Sequence, residues 1–306
     1  MMRRFFFVLL IAAGLFSSLL FSSPCFAAES TVQITPTLLE FETVPGKAYS
    51  TSEIVIFNPS VRQRQRIELV IRDLTVADET GTYGFFNVPH ERFSLSTWAE
   101  VNPKVVTLEP QEAQGVTVQI DTPLDAEAGG HYGILLALAK PETEEELPEG
   151  VMVRNTGGVG LALLGTTPGD ISWAGRIIEF QPVPFLNTGP VNFSLRFAND
   201  GTVHYSPHGT IEIFDLLGGK VGEVEIKEQR VFPQKIRRLE TVWKRILLVG
   251  KYTAKATVYY GKEGEERVDT AEITFWAFPY KAFLILVGVV VCVVIISKVR
   301  KRVEER

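Results

Sequence analysis

The sequence predicts an all-β protein, with two immunoglobulin-like β-sandwich domains followed by a single C-terminal transmembrane helix. Three observations predict it. Between Ala28 and Lys281, short runs of alternating apolar and polar residues follow one another, punctuated by Gly, Pro, Asn and Asp; this is the pattern of strands with one buried face. The stretch is too long for one small sandwich and comfortable for two. After it, Ala282 to Ser297 (AFLILVGVVVCVVIIS) holds no charge and no proline, and at about 1.5 Å per residue it nearly crosses a hydrocarbon layer of about 30 Å.

The two ends set the expected topology. Residues 1–27 read as a signal peptide. Arg3 and Arg4 are its basic start, Phe5 to Phe21 its apolar centre, and Cys25-Phe26-Ala27 places small residues where cleavage after Ala27 requires them. A lipoprotein signal at Cys25 and an uncleaved anchor stay open as alternatives. At the other end, Trp276, Phe278 and Tyr280 precede the apolar run, and Lys298, Arg300, Lys301 and Arg302 follow it. Amphipathic rings settle at headgroup level and basic clusters stay in the cytoplasm. Residues 279–298 are thus the expected span, 299–306 a cytoplasmic tail, and everything before them extracytoplasmic.

The only cysteines are Cys25 and Cys292, one in each apolar segment. No disulfide is expected in the exported part, which points to a bacterial cell membrane rather than a eukaryotic surface. The net charge is −5, and removing the basic ends leaves the exported part more acidic still. That balance disfavours nucleic acid as a partner.

The first domain is expected over 28–168. Thr31 to Phe41 opens a strand broken at Pro36, and Glu53 to Phe57 and Arg66 to Arg72 alternate with period two around the turn Asn58-Pro59-Ser60. Arg62, Arg64 and Arg66 share one side of an extended segment, read as a solvated strand face. From Thr75 to Glu100 the alternation loosens into a long excursion dense in aromatics. Tyr83, Phe85, Phe86, Phe93 and Trp98 are the candidate partner-binding residues; they either present a contact surface or pack a small core of their own. Strands resume at Lys104 to Leu108, Gly115 to Ile120, His131 to Leu138 and Val151 to Leu164, with the acidic stretch Glu142 to Glu149 as an exposed connection.

The alternation stops at Gly165 to Gly169, and the domain boundary is placed there. Seven strands are predicted over 169–278: Gly175 to Phe180, Val191 to Asn199, Gly209 to Phe214, Val221 to Ile226, Ile236 to Trp243, Tyr252 to Tyr260 and Arg267 to Trp276. Asn199-Asp200-Gly201 and Gly218-Gly219 supply tight turns. The last strand leads almost directly into the helix, with Pro279 and its neighbours as the hinge.

The inventory for chemistry is poor. His204 and His208 would share a side only on a helix, which Gly201, Pro207 and Gly209 forbid, so they are read as members of a solvated loop rather than as metal ligands. Gly157-Gly158-Val159-Gly160 has no helix after it to hold a phosphate, and Gly219-Lys220-Val221 lacks the Ser or Thr of a phosphate loop. No catalytic residue, metal or cofactor is expected.

Trp98 to Leu138 (WAEVNPKVVTLEPQEAQGVTVQIDTPLDAEAGGHYGILLAL) resembles the core of the peptidoglycan-binding domain of bacterial WxL-interacting surface proteins. More loosely, it resembles the first domain of pilus chaperones. Ile34 to Ser60 fits the same frame, and NDGTVHYSPHGTIEIFD with GKYTAKATVYYG resembles second domains of similar membrane-anchored proteins. The resemblance implies a non-catalytic, membrane-anchored surface protein that binds or scaffolds cell-wall glycan or a secreted surface protein. The alternative is a chaperone-like assembly factor that acts by strand addition. A hydrolase with an unrecognised site is the third reading.

Overall fold

The computed structural model describes residues 32–86, 92–140, 158–181, 185–262 and 264–304. The signal peptide, the Glu142 to Glu149 connection and the start of the strand expected from Val151 lie outside the described residues.

Strands β1 (Gln33–Thr35), β2 (Leu38–Glu42), β3 (Ala48–Ser50), β4 (Ile54–Phe57) and β5 (Gln65–Val76) open the chain. They are followed by β6 (Tyr83–Phe86), β7 (Ala99–Asn102), β8 (Val105–Leu108), β9 (Ala113–Asp121), β10 (Gly129–Lys140) and β11 (Gly158–Thr167). One sheet runs β1-β4-β9-β3 with β7 beside β9, and the other runs β2-β11-β10-β5-β6 with β8 beside β5. Their inward residues interdigitate: Ile54 and Ile56, Val116, Val118 and Ile120 from the first sheet meet Ile67, Leu69, Leu135, Leu161 and Leu163 from the second. Burial alternates with the period-two pattern in β9, where each of these valines and isoleucines is flanked by a more exposed neighbour.

A second sandwich follows. Its strands are β12 (Gly175–Gln181), β13 (Phe185–Leu186), β14 (Val191–Asn199), β15 (His208–Asp215), β16 (Lys220–Ile226), β17 (Lys235–Trp243), β18 (Gly250–Tyr260) and β19 (Arg267–Ala277). The sheet β12-β14-β17 faces the sheet β13-β19-β18-β15-β16. Phe193, Phe197, Ile211, Ile213, Tyr252 and Phe275 fill the space between them. The one cysteine among the described residues, Cys292, is exposed. Both sandwiches therefore rest on apolar burial, at roughly 1.5–3 kcal/mol for each large side chain removed from water.

Three sequence expectations are corrected. The excursion from Thr75 to Glu100 is not irregular throughout, because β6 folds back on β5 with Val76 opposite Tyr83 and Asp73 opposite Phe86. The turn between them is tied by the Asp78 carboxylate, which accepts from the Thr80 and Thr82 amides. β11 continues to Thr167, three residues past Leu164, because Gly165, Thr166 and Thr167 pair with His131, Gly130 and Gly129 of β10. Of Arg62, Arg64 and Arg66, only Arg66 lies in a strand, and Arg64 meets Glu109 at 3.0 Å.

Each sandwich carries one buried asparagine just after an inner strand. Asn58, after β4, donates to the carbonyls of Gln63, Leu108 and Glu109 while its Oδ1 accepts from the Ser60 amide. Asn199, at the end of β14, donates to the Val203 and Val231 carbonyls and accepts from Gly201. Both turn signals were legible; that the side chain points inward and gathers several loops was not.

Among the described residues one helix, Tyr280–Glu304, follows the second sandwich. Its stretch Tyr280–Lys298 has mean hydropathy 2.6 and none of it is buried, so it is long and apolar enough to cross a membrane. The junction before it is held on both sides of Pro279: the Phe278 amide donates to Leu186 O at 2.9 Å and the Lys281 amide to Asn187 Oδ1 at 3.1 Å.

Replacing Asn58 or Asn199 by Ala leaves buried carbonyls unpaired and is expected to lower stability by about 3 kcal/mol at each site. Thermal unfolding followed by circular dichroism checks this, and a shift no larger than that of an exposed control such as Asn192→Ala refutes it.

Candidate functional site

Among the described residues, part of β11 in the first sandwich is paired on one side only. After β1 pairs with β4 in the first sheet, Pro36 breaks the strand and β2 crosses to the second sheet, where it lies parallel to β11. The contact covers Ala162 to Thr166 only, opposite Leu38 to Glu42. Gly158 to Leu161 pair with β10 on one side, and among the described residues they have no strand on the other.

Backbone parity says which groups face outward. Ala162 donates its amide to Thr37 O at 3.0 Å, toward β2. Amide and carbonyl of one residue point the same way along a strand and alternate between neighbours, so those of Gly158 and Gly160 also point toward the open side. Glycine at both places has a packing cause. A Cβ at Gly158 would lie 2.8 Å from the Leu138 side chain, and one at Gly160 would lie 2.7 Å from Ile134. The branched residues of β10 lean over the glycines, and half-buried Leu136 and Leu138 form an apolar shelf beside the open edge.

Below this edge the two sandwiches meet. Tyr132, Ile134, Leu74, Ala162 and Leu164, on the outer face of the β11 sheet, bury Phe232 from the second sandwich. Phe232 meets the Tyr132 ring edge-on at 4.8 Å, and the Tyr132 hydroxyl accepts from the His204 amide at 2.9 Å. Gly130 donates to Thr202 O at 2.8 Å. Arg230 pairs with Glu40 of β2. On the far side, Arg196 lies between Glu79 and Glu179, and its guanidinium holds both carboxyls below the ordinary range.

This overturns the reading of His204 as part of a solvated loop. His204 packs against Tyr132 and Phe232, and burial pushes its pKa down to about 4, outweighing the nearby Glu40 carboxylate. His208 stands apart, stacked on Tyr259 and 3.7 Å from Glu266. Among the described residues no group of three or more His, Cys, Asp or Glu is placed to hold a metal ion.

The five aromatics singled out by the sequence are not gathered into one surface. Tyr83 is partly exposed, but its ring meets Phe232 edge-on at 6.0 Å. Phe93 packs on Tyr132, and Phe86 is half-buried opposite Asp73. Trp98 lies against the first core, 4.1 Å from the His131 ring, and lines an open cleft of about 550 Å³ with Leu69, Ile71, Val101 and Lys104. Phe85 is 51% exposed. The open strand edge was missed by the sequence reading, whose nearest signal was the run Gly157-Gly158-Val159-Gly160.

No family model matches the chain, that of the WxL-interacting surface proteins included, and no curated protein matches it. Solved structures similar to it include pilus and fimbrial chaperones. The complex described as "Chaperone-tip adhesin complex is vital for synergistic activation of CFA/I fimbriae biogenesis" is 12% identical with a TM-score of 0.39, over 80% of this chain and 98% of that one. The YadV chaperone is 12% identical with a TM-score of 0.40, over 79% and 100%. The CupB2 chaperone of Pseudomonas aeruginosa is 13% identical with a TM-score of 0.36, over 80% and 100%.

The depressed pKa of His204 sets a pH dependence. Its ordinary value is 6.5 and its folded value about 4, so between these the unfolded chain holds a proton that the folded chain does not. The stability of the junction is complete above pH 6.5 and is lost as the pH falls toward 4, at up to about 1.4 kcal/mol per pH unit. Melting temperature measured from pH 7 to pH 4.5 should fall more steeply in the parent than in His204→Gln; identical slopes would show that His204 titrates normally.

Proposed function

We propose that the chain is a non-catalytic, membrane-anchored assembly factor that holds an extended segment of a surface protein by adding it as a strand to the open edge of β11. The carrying observation is the edge itself. Gly158 and Gly160 direct amides and carbonyls outward in line with β2, which already pairs with the same strand one turn of the ladder further on. An incoming segment would continue the sheet ahead of the first residue of β2, with alternate side chains beside Leu136 and Leu138. Open edges are liabilities that proteins usually blunt with charge or proline; here the residues are Gly, Val, Gly and Leu.

In this reading the apolar helix crosses the bacterial cell membrane with its basic end in the cytoplasm, and the sandwiches stand outside. The first is the distal one, because the strand leading to the helix belongs to the second. A protein partner is favoured over cell-wall glycan because the edge offers amide pairing, whereas stacking on sugars needs several aromatic faces exposed together, and only Tyr83 and Phe85 of the five are exposed.

The test is Gly160→Pro. Proline removes the outward amide without touching the β10 ladder, and its Cβ would meet first the flexible end of Ile134. The variant should keep its circular dichroism spectrum and lose at least tenfold in affinity for extended strand-forming peptides derived from co-secreted surface proteins. Unchanged affinity in a folded variant would reject the edge as the binding site, and recovery of peptidoglycan rather than peptide in sedimentation would favour the wall.

A further inference from the structure

The membrane-proximal end of the second sandwich is built differently from its other end. Pairing places three loops there. Gly250 opens β18 opposite Ala277, three residues before the helix begins, and Asp215 closes β15 opposite Tyr252. The turn between β15 and β16 and the loop between β17 and β18 therefore emerge at the level of the helix start, within about 10 Å along the strands at 3.3 Å per residue. The segment after β13 joins them, since Gly189 donates to Ile246 O at 2.8 Å.

Their tips are apolar and turned outward. Leu216 and Leu217 form the β15–β16 turn, and Leu217 is 93% exposed; Ile246, Leu247 and Val249 project from the next loop at 71%, 68% and 58%. These tips are not slack. Asp215 Oδ1 accepts from the Leu217 and Gly219 amides at 2.9 Å, which holds the turn with both leucines outside. Leu248 is fully buried as the plug of its loop, and the Val249 amide donates to the Tyr252 hydroxyl at 3.2 Å. At the opposite end, the turn after β18 reads Gly261-Lys262-Glu263-Gly264-Glu265-Glu266, without an apolar residue.

Charge surrounds the apolar tips. Lys244, Lys251 and Lys281 have no carboxylate within ion-pair distance among the described residues, and Arg245 lies over the Trp243 ring. Asp215 is engaged by its own turn, and Glu212 and Glu223 are paired with Lys220. Three exposed leucines, an isoleucine and a valine, with Lys244, Arg245 and Lys251 flanking one of the two tips, on the end that carries an apolar helix, match the interfacial layer of a membrane with anionic headgroups.

We propose that this end is a second membrane contact: the loop tips at Leu216, Leu217, Ile246, Leu247 and Val249 enter the headgroup layer of the leaflet from which the helix descends, with the flanking basic groups on lipid phosphates. This rests on the anchored reading above. The contact seats the second sandwich on the bilayer and fixes the direction in which the β11 edge is presented.

The test uses the full chain, with Cys25→Ser and Cys292→Ser, reconstituted in phosphatidylcholine–phosphatidylglycerol vesicles. Single cysteines placed by Leu217→Cys, Leu247→Cys, Glu265→Cys and Val287→Cys carry a polarity-sensitive dye, and quenching by lipids spin-labelled near the headgroup or deep in the chain is compared. The expected result is headgroup-level quenching at 217 and 247 several-fold above that at 265, reduced by Lys244→Glu with Lys251→Glu. If 287 is quenched by deep label while 217 and 247 match 265, the contact is refuted and the anchor stands. If 217 and 247 shift to the blue without quenching, a protein rather than lipid covers them, and the proposal falls. If 287 is not quenched either, the anchored reading fails, and this contact with it.

Discussion

The crossing of the first strand at Pro36 governs the first sandwich. By pairing β1 with one sheet and β2 with the other, it ties the two layers together without a disulfide. The same crossing limits what remains available. β2 is five residues long against ten in β11, so it covers one end of that strand and leaves the other with outward amides and carbonyls. A longer β2 would close the sheet, and its absence would leave the whole strand bare.

The covered half of β11 lies nearest the second sandwich. There the outer face of the sheet does not meet water but Phe232, and the polar groups that this contact buries are paired: the Tyr132 hydroxyl with the His204 amide, Gly130 with Thr202, Arg230 with Glu40. Burial of unpaired groups would cost more than the apolar contact returns. The hairpin of β5 and β6 reaches the same neighbour by charge, through Glu79 and Arg196. Apolar contact on one flank and ion pairing on the other resist rotation about different axes, which gives the open edge a defined direction relative to the second sandwich.

The second sandwich has two unlike ends for a related reason. The loops at its end facing the first sandwich are occupied by the junction, where Asn199, Gly201, Thr202 and His204 are committed to contacts. The loops at its helix end, among the described residues, carry no such contact and still display apolar side chains held in ordered turns.

Period-two alternation in the sequence determined seven of the eight strands of the second sandwich almost to the residue, because each has one buried and one solvated face, while the two-residue β13 is too short to show a period; the terminal apolar helix was specified by composition. Proline at 36 marked the strand break, and the turn asparagines marked the ends of β4 and β14. What alternation cannot encode is which strands become neighbours. The pairing of β2 with half of β11 joins residues more than a hundred positions apart, and the open edge exists only as a difference between the two strand lengths. The hairpin at Tyr83 to Phe86 hid inside an aromatic-rich stretch because Tyr83 meets Phe232 from the other sandwich, a contact that leaves no local period. His204 was misplaced for the same reason: its loop reads as polar, and only the approach of Tyr132 and Phe232 takes water away from it.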